Sequence, residues 1–168
     1  MKSNKFVIGS ASLVVLFFLL KIHIPVIEII VDEKTYFVRD TSFTLSWIHS
    51  IEKEPWYEIY KRKNSHLILT ETYFKTFGAG VPSNKEIIKK NNGFIHMKVN
   101  RKIDKLNIIV SENVQTTLII GDKKIELYKL LENYSEVTIQ VKNLHLWNIF
   151  RGDFLWTETD SAQLHNPI

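Results

Sequence analysis

At 168 residues the chain suits one domain with a real core, and its apolar content of 45% is ordinary for a folded one. The net charge of +4 sits at the start: residues 1–24 hold Lys2, Lys5 and Lys21 and no acid, leaving 19 basic against 18 acidic residues beyond. A near-neutral body argues against a nucleic-acid footprint, which needs clustered positive charge. The absence of cysteine excludes disulfides, thiol catalysis, Cys-ligated zinc and a lipoprotein anchor.

Phe6 to Leu20 is 15 residues without a charge. As a helix it would be ~22 Å long, and Ile22 and Ile24 extend the apolar run. Lys5 and Lys21 would then snorkel to opposite interfaces. The alternative is a cleaved signal peptide, whose apolar region has this length. Leu20 to Pro25 offers no pair of small residues for cleavage, so residues 1–24 are read as an uncleaved transmembrane signal-anchor. Lys2 and Lys5 keep the N-terminus in the cytoplasm and place the bulk outside the bacterial cell membrane as a single-pass protein. Pro25 is expected to end the helix.

The remainder, 25–142, reads as strands. Val26–Val31 and Thr35–Arg39 form a hairpin around Asp32-Glu33-Lys34. Ser42–Ser50 alternates, with Phe43, Leu45, Trp47 and His49 on one face. Trp56–Arg62 and His66–Thr76 follow, joined at Lys63-Asn64-Ser65. After Pro82, Ser83 caps a short expected helix over EIIKK, with Glu86 completing a capping box. Further runs are Phe94–Asn100, Leu106–Glu112, Thr116–Ile120, Lys124–Leu130 and Glu136–Lys142. The expected class is all-β, an antiparallel sandwich or barrel of about 8 to 10 strands, with the N-terminal helix and the short helix after Pro82. Residues 143–168 crowd eight apolar side chains, including Trp147 and Trp156, around Arg151-Gly152-Asp153. Such a segment either folds back to cover the domain, the favoured reading, or rests on a membrane interface.

Three successive runs from Ser42 to Pro82 form a meander that brings two loops to one edge. One carries His49, Ser50, Glu52, Lys53 and Trp56; the other carries Gly78, Ala79, Gly80 and Pro82. Glu58 shares a strand face with Trp56 and Tyr60, and Glu71 is expected in line with Leu67 and Leu69. An ionisable group on an apolar face is informative, because burying it unpaired is costly. His49 and Glu71 are therefore expected to face each other as a hydrogen-bonded pair. His49-x-x-Glu52 alone is too few ligands for a metal, no Gly-x-Ser-x-Gly elbow or phosphate loop exists, and no cofactor is called for. The glycines read first as a tight turn, with an anion-binding nest as the alternative.

The order His-Ser-Ile-Glu-Lys-x-Pro-Trp-x-Glu over 49–58, then Glu71, then Phe-Gly-Ala-Gly-Val-Pro over 77–82, resembles the bacterial family catalogued as domain of unknown function 1850. The resemblance extends from about Val26 to Val141. It implies no activity, but genes of that family often sit beside TAXI-type tripartite transporters of small organic anions. The function expected is a non-enzymatic, membrane-anchored extracytoplasmic module that assists such a transporter through its permease or solute-binding protein. The alternative is an envelope hydrolase or metal-binding protein using His49 with Glu52, Glu58 and Glu71.

Overall fold

The computed structural model describes residues 21–78, 81, 87–91, 93–145 and 148, with the backbone alone at 87–91. Eleven strands appear among them: β1 (His23–Val31), β2 (Lys34–Val38), β3 (Ser42–Ile48), β4 (Pro55–Lys63), β5 (His66–Phe74), β6 (Ile87–Asn91), β7 (Phe94–Ile103), β8 (Lys105–Ile109), β9 (Thr117–Ile120), β10 (Lys123–Ile125) and β11 (Glu136–His145). They make two antiparallel sheets. Sheet A has the order β2-β1-β11-β8 and sheet B the order β10-β9-β3-β4-β5-β7-β6. Neither sheet closes into a barrel. Among the described residues no helix is long and apolar enough to cross a membrane, and residues 1–20 of the expected anchor lie outside them. His23 and Ile24 belong to β1, so the strand begins before Pro25. Pro25 is tolerated because β2 reaches only to Ile27, leaving β11 as its one neighbour among the described strands.

Three of the two-residue hairpin turns have their first residue at positive φ: Asp32 (51°), Asn64 (54°) and Gly121 (55°). That geometry matches the twist of the flanking strands and suits Asp, Asn and Gly. Alternation then directs Ile27, Ile29, Val137 and Ile139 of sheet A against Phe43, Leu45, Tyr60, Leu67 and Leu69 of sheet B in one core. Sheet B is the wider, and a second apolar cluster of Trp56, Phe74, Ile95 and Met97 occupies the end of its inner face.

Two expected elements differ. The helix over EIIKK is replaced, from Ile87 onward, by β6, which pairs along β7; Ser83 to Glu86 lie outside the described residues. A free sheet edge beside two isoleucines outweighs the modest gain of a capping box. The run Lys124–Leu130 is a strand only to Ile125, and Leu127–Leu130 is a one-turn helix, α1. The hairpin explains the change. Ile125 already pairs with Leu118, next to the first residue of β9, so the partner strand runs out.

Candidate functional site

The connection from His49 to Glu54 is closed by its own backbone. His49 N–H donates to the Glu54 carbonyl at 2.8 Å, and Lys53 N–H to the His49 carbonyl at 2.9 Å. Lys53 takes a φ of 55° to complete the turn. Inside this loop the His49 imidazole Nδ1 lies against Glu52 Oε2. The backbone N–H groups of Ile51 and Glu52 donate to the same nitrogen over long distances, 3.4 and 3.5 Å. Thr76 Oγ1 donates to Glu54 Oε2 at 2.6 Å and ties the loop to the chain leaving β5. A Cβ added at Gly78 would run into the Glu52 carboxylate. The two loops therefore meet at one edge, as the meander requires, and glycine is needed at 78 for close approach rather than for its dihedral freedom. Ala79, Gly80 and Pro82 lie outside the described residues. Ser50 and Lys53 are exposed on the rim.

Below the loop stands an aromatic column. Trp56 is buried and stacks on Phe74 (4.9 Å), His49 (5.5 Å) and Trp47 (5.7 Å). Its Nε1 is buried without an acceptor. The hollow between loop and column is shallow and open to solvent, too small to enclose an ordinary small-molecule ligand.

Glu58 and Glu71 do not join this edge. Glu58 points inward between Trp56 and Tyr60, opposite Leu45 and Thr72, and is bonded by the Tyr60 hydroxyl. Burial pushes its pKa up; the Tyr60 bond and the Arg101 charge offset only part of that. Burial, then the Glu58 charge and bond, push the Tyr60 phenol up in turn.

Glu71 does not face His49. Ile59 sits opposite Glu71 while Tyr60 sits opposite Leu69, so Thr70 is an extra residue whose Oγ1 donates to the Ile59 carbonyl at 3.0 Å. This bulge reverses the alternation of β5. Leu67 and Leu69 point inward before it, and Thr72 and Phe74 after it, so Glu71 and Tyr73 face outward. There His96 of β7 is the histidine partner, with Nε2 2.8 Å from Glu71 Oε2, and the Tyr73 hydroxyl donates to the same oxygen at 2.8 Å. The Tyr73 and His96 rings stack at 4.2 Å. His96, Tyr60 and Tyr73 were not among the expected site residues, because only the bulge brings the last group together. No cluster of three His, Asp or Glu side chains suited to a metal ion occurs among the described residues.

Partial burial pushes the Glu71 carboxyl up, but the bonds from Tyr73 and His96 and the charges of His96 and Lys61 outweigh it, leaving its pKa lowered. Burial and Glu71 push the Tyr73 phenol up to about 12. A carboxyl lowered in the folded state contributes stability above its ordinary value of 4.5, and that contribution is lost as pH falls through the lower folded value. Glu71→Gln is therefore expected to cost stability near neutral pH and progressively less on acidification below 4.5. Urea unfolding across that range checks it; a constant difference at every pH would show that the carboxylate charge plays no part.

These features define a two-sheet antiparallel β domain with one polar and aromatic edge. Residues 43–127, half of the chain, match the model of a family described as Domain of unknown function (DUF1850), and the chain belongs to that family. The match runs from β3 into α1, so it takes in all of sheet B, while β1, β2 and β11 of sheet A lie outside it. No curated protein and no solved structure matches the chain.

Proposed function

We propose that this chain is an extracytoplasmic binding module, held in the bacterial cell membrane by residues 1–24, that assists a TAXI-type tripartite organic-anion transporter. The observation that carries the binding role is the pair of large apolar side chains at the His49 edge. Ile51 is 71% and Phe77 59% exposed, and their chain neighbours Glu52 and Gly78 are in contact. Exposed apolar groups gathered beside a rigid, internally paired turn suit a partner surface. The shallow hollow beneath suits docking better than enclosure of a small molecule. Support for the anchor comes from the uncharged run Phe6–Leu20 behind Lys2 and Lys5. The transporter link rests on the family resemblance.

The test is co-purification from mild detergent with the permease and the solute-binding protein, alongside substrate uptake. Replacing Ile51→Asp and Phe77→Ser together is expected to abolish co-purification and uptake. Stability should change by only about 0.5 kcal/mol per site, because neither side chain is buried. If neither component co-purifies with the parent chain and deletion leaves uptake unchanged, the proposal fails.

A further inference from the structure

The outer face of sheet A is more deeply buried than the described strands account for. β1 and β11 pair without a shift from His23↔His145 to Val31↔Val137. Ile27, Ile29, Val137 and Ile139 point into the core, so alternation turns Val26, Glu28, Lys142 and Leu144 to the opposite face. Every described strand belongs to one of the two sheets, and none lies over that face. Yet Val26 is only 1%, Glu28 6% and Leu144 6% exposed. The polar groups there satisfy one another: Gln140 Nε2 donates to Glu28 Oε2 at 2.6 Å, and Lys142 Nζ stands 4.0 Å from Oε1. A cover over this face therefore needs no polar partner of its own and is free to be apolar.

We infer that residues 146–168 dock on the outer face of sheet A, over Val26 and Leu144. The segment begins one residue after the end of β11, beside Leu144. Leu146, Trp147, Ile149, Phe150, Phe154, Leu155 and Trp156 supply apolar area that a free tail in water would leave exposed. Occupying this face uses the aromatic rings within the molecule, so they are not available to the bilayer. This inference is independent of the role of the His49 edge.

The chain has no cysteine, so one introduced cysteine gives a unique label. Lys142→Cys is suited, because that side chain is 53% exposed and flanks the covered pair. Lys105→Cys, opposite Gln140 on the same face, is a second position if the first perturbs folding. A bimane label at either position in the full chain, reconstituted in phosphatidylcholine vesicles, should be quenched by nearby tryptophan. Recovery of emission on Trp147→Phe or Trp156→Phe, with no recovery on Trp47→Phe, is the expected result. Emission indifferent to both C-terminal substitutions at both label positions overturns the inference. Quenching of Trp147 and Trp156 by brominated lipid would then assign the segment to the membrane interface.

Discussion

Trp56→Ala is expected to lower stability by about 3–5 kcal/mol, the usual cost of deleting a buried aromatic ring. The ring is 5% exposed and touches Trp47, His49 and Phe74, so its removal opens a cavity that three rigid neighbours cannot easily fill. It also takes away the surface on which the His49 imidazole rests, so the His49–Glu52 contact should loosen. Trp56→Phe should be much milder, because Nε1 has no acceptor to lose. Denaturant unfolding of both variants decides. An alanine variant as stable as the parent would mean that the second apolar cluster does not unfold with the rest.

The second large effect concerns the carboxylate inside the fold. Tyr60→Phe removes the hydroxyl that bonds Glu58 and leaves a half-buried carboxyl without that donor, a loss of roughly 1–3 kcal/mol. Burial raises the Glu58 pKa, so the folded chain holds that proton more tightly than the unfolded chain does. Its contribution is complete below the ordinary value of 4.5 and is lost as pH rises through the folded value. Glu58→Gln, neutral at every pH, should remove this loss, giving a pH trend opposite in sign to that of Glu71→Gln. When Tyr60→Phe is combined with Glu58→Gln it should cost less than it does alone, and the difference measures the coupling. A pH profile of Glu58→Gln identical to the parent's would exclude a raised Glu58 pKa in the folded chain.

Nine of the eleven strands lie where alternation and turn residues put them, because a half-buried strand must repeat every two residues and a tight hairpin needs particular dihedrals. The shared edge of His49 and Gly78 was legible for the same reason. What parity could not supply was the partner of Glu71. Counting by twos from Leu67 and Leu69 puts Glu71 inside, and nothing in Leu-Thr-Glu-Thr-Tyr marks Thr70 as the extra residue. Facing it on β7, Val99 and Asn100 occupy the gap between Lys98 and Arg101, with Asn100 at a φ of 54°. The distortion thus belongs to several strands at once, and no single segment shows it. The two misread segments have a similar cause. β6 exists because β7 offers an edge, and β10 stops because β9 does.

The extra residue at Thr70 also divides β5 into two halves with opposite rules of substitution. Before it, the odd positions are the buried ones, as at Leu67 and Leu69; after it, the even positions are, as at Thr72 and Phe74. A relative that lacked one residue here would carry Glu71 and Tyr73 into the interior and Thr72 and Phe74 out to solvent. Single-residue length change at this point is therefore far more disruptive than in the hairpin turn a few residues earlier. Aligning a diverged relative across β5 requires a fixed count between Leu69 and Phe74, and a gap placed there would signal a misalignment.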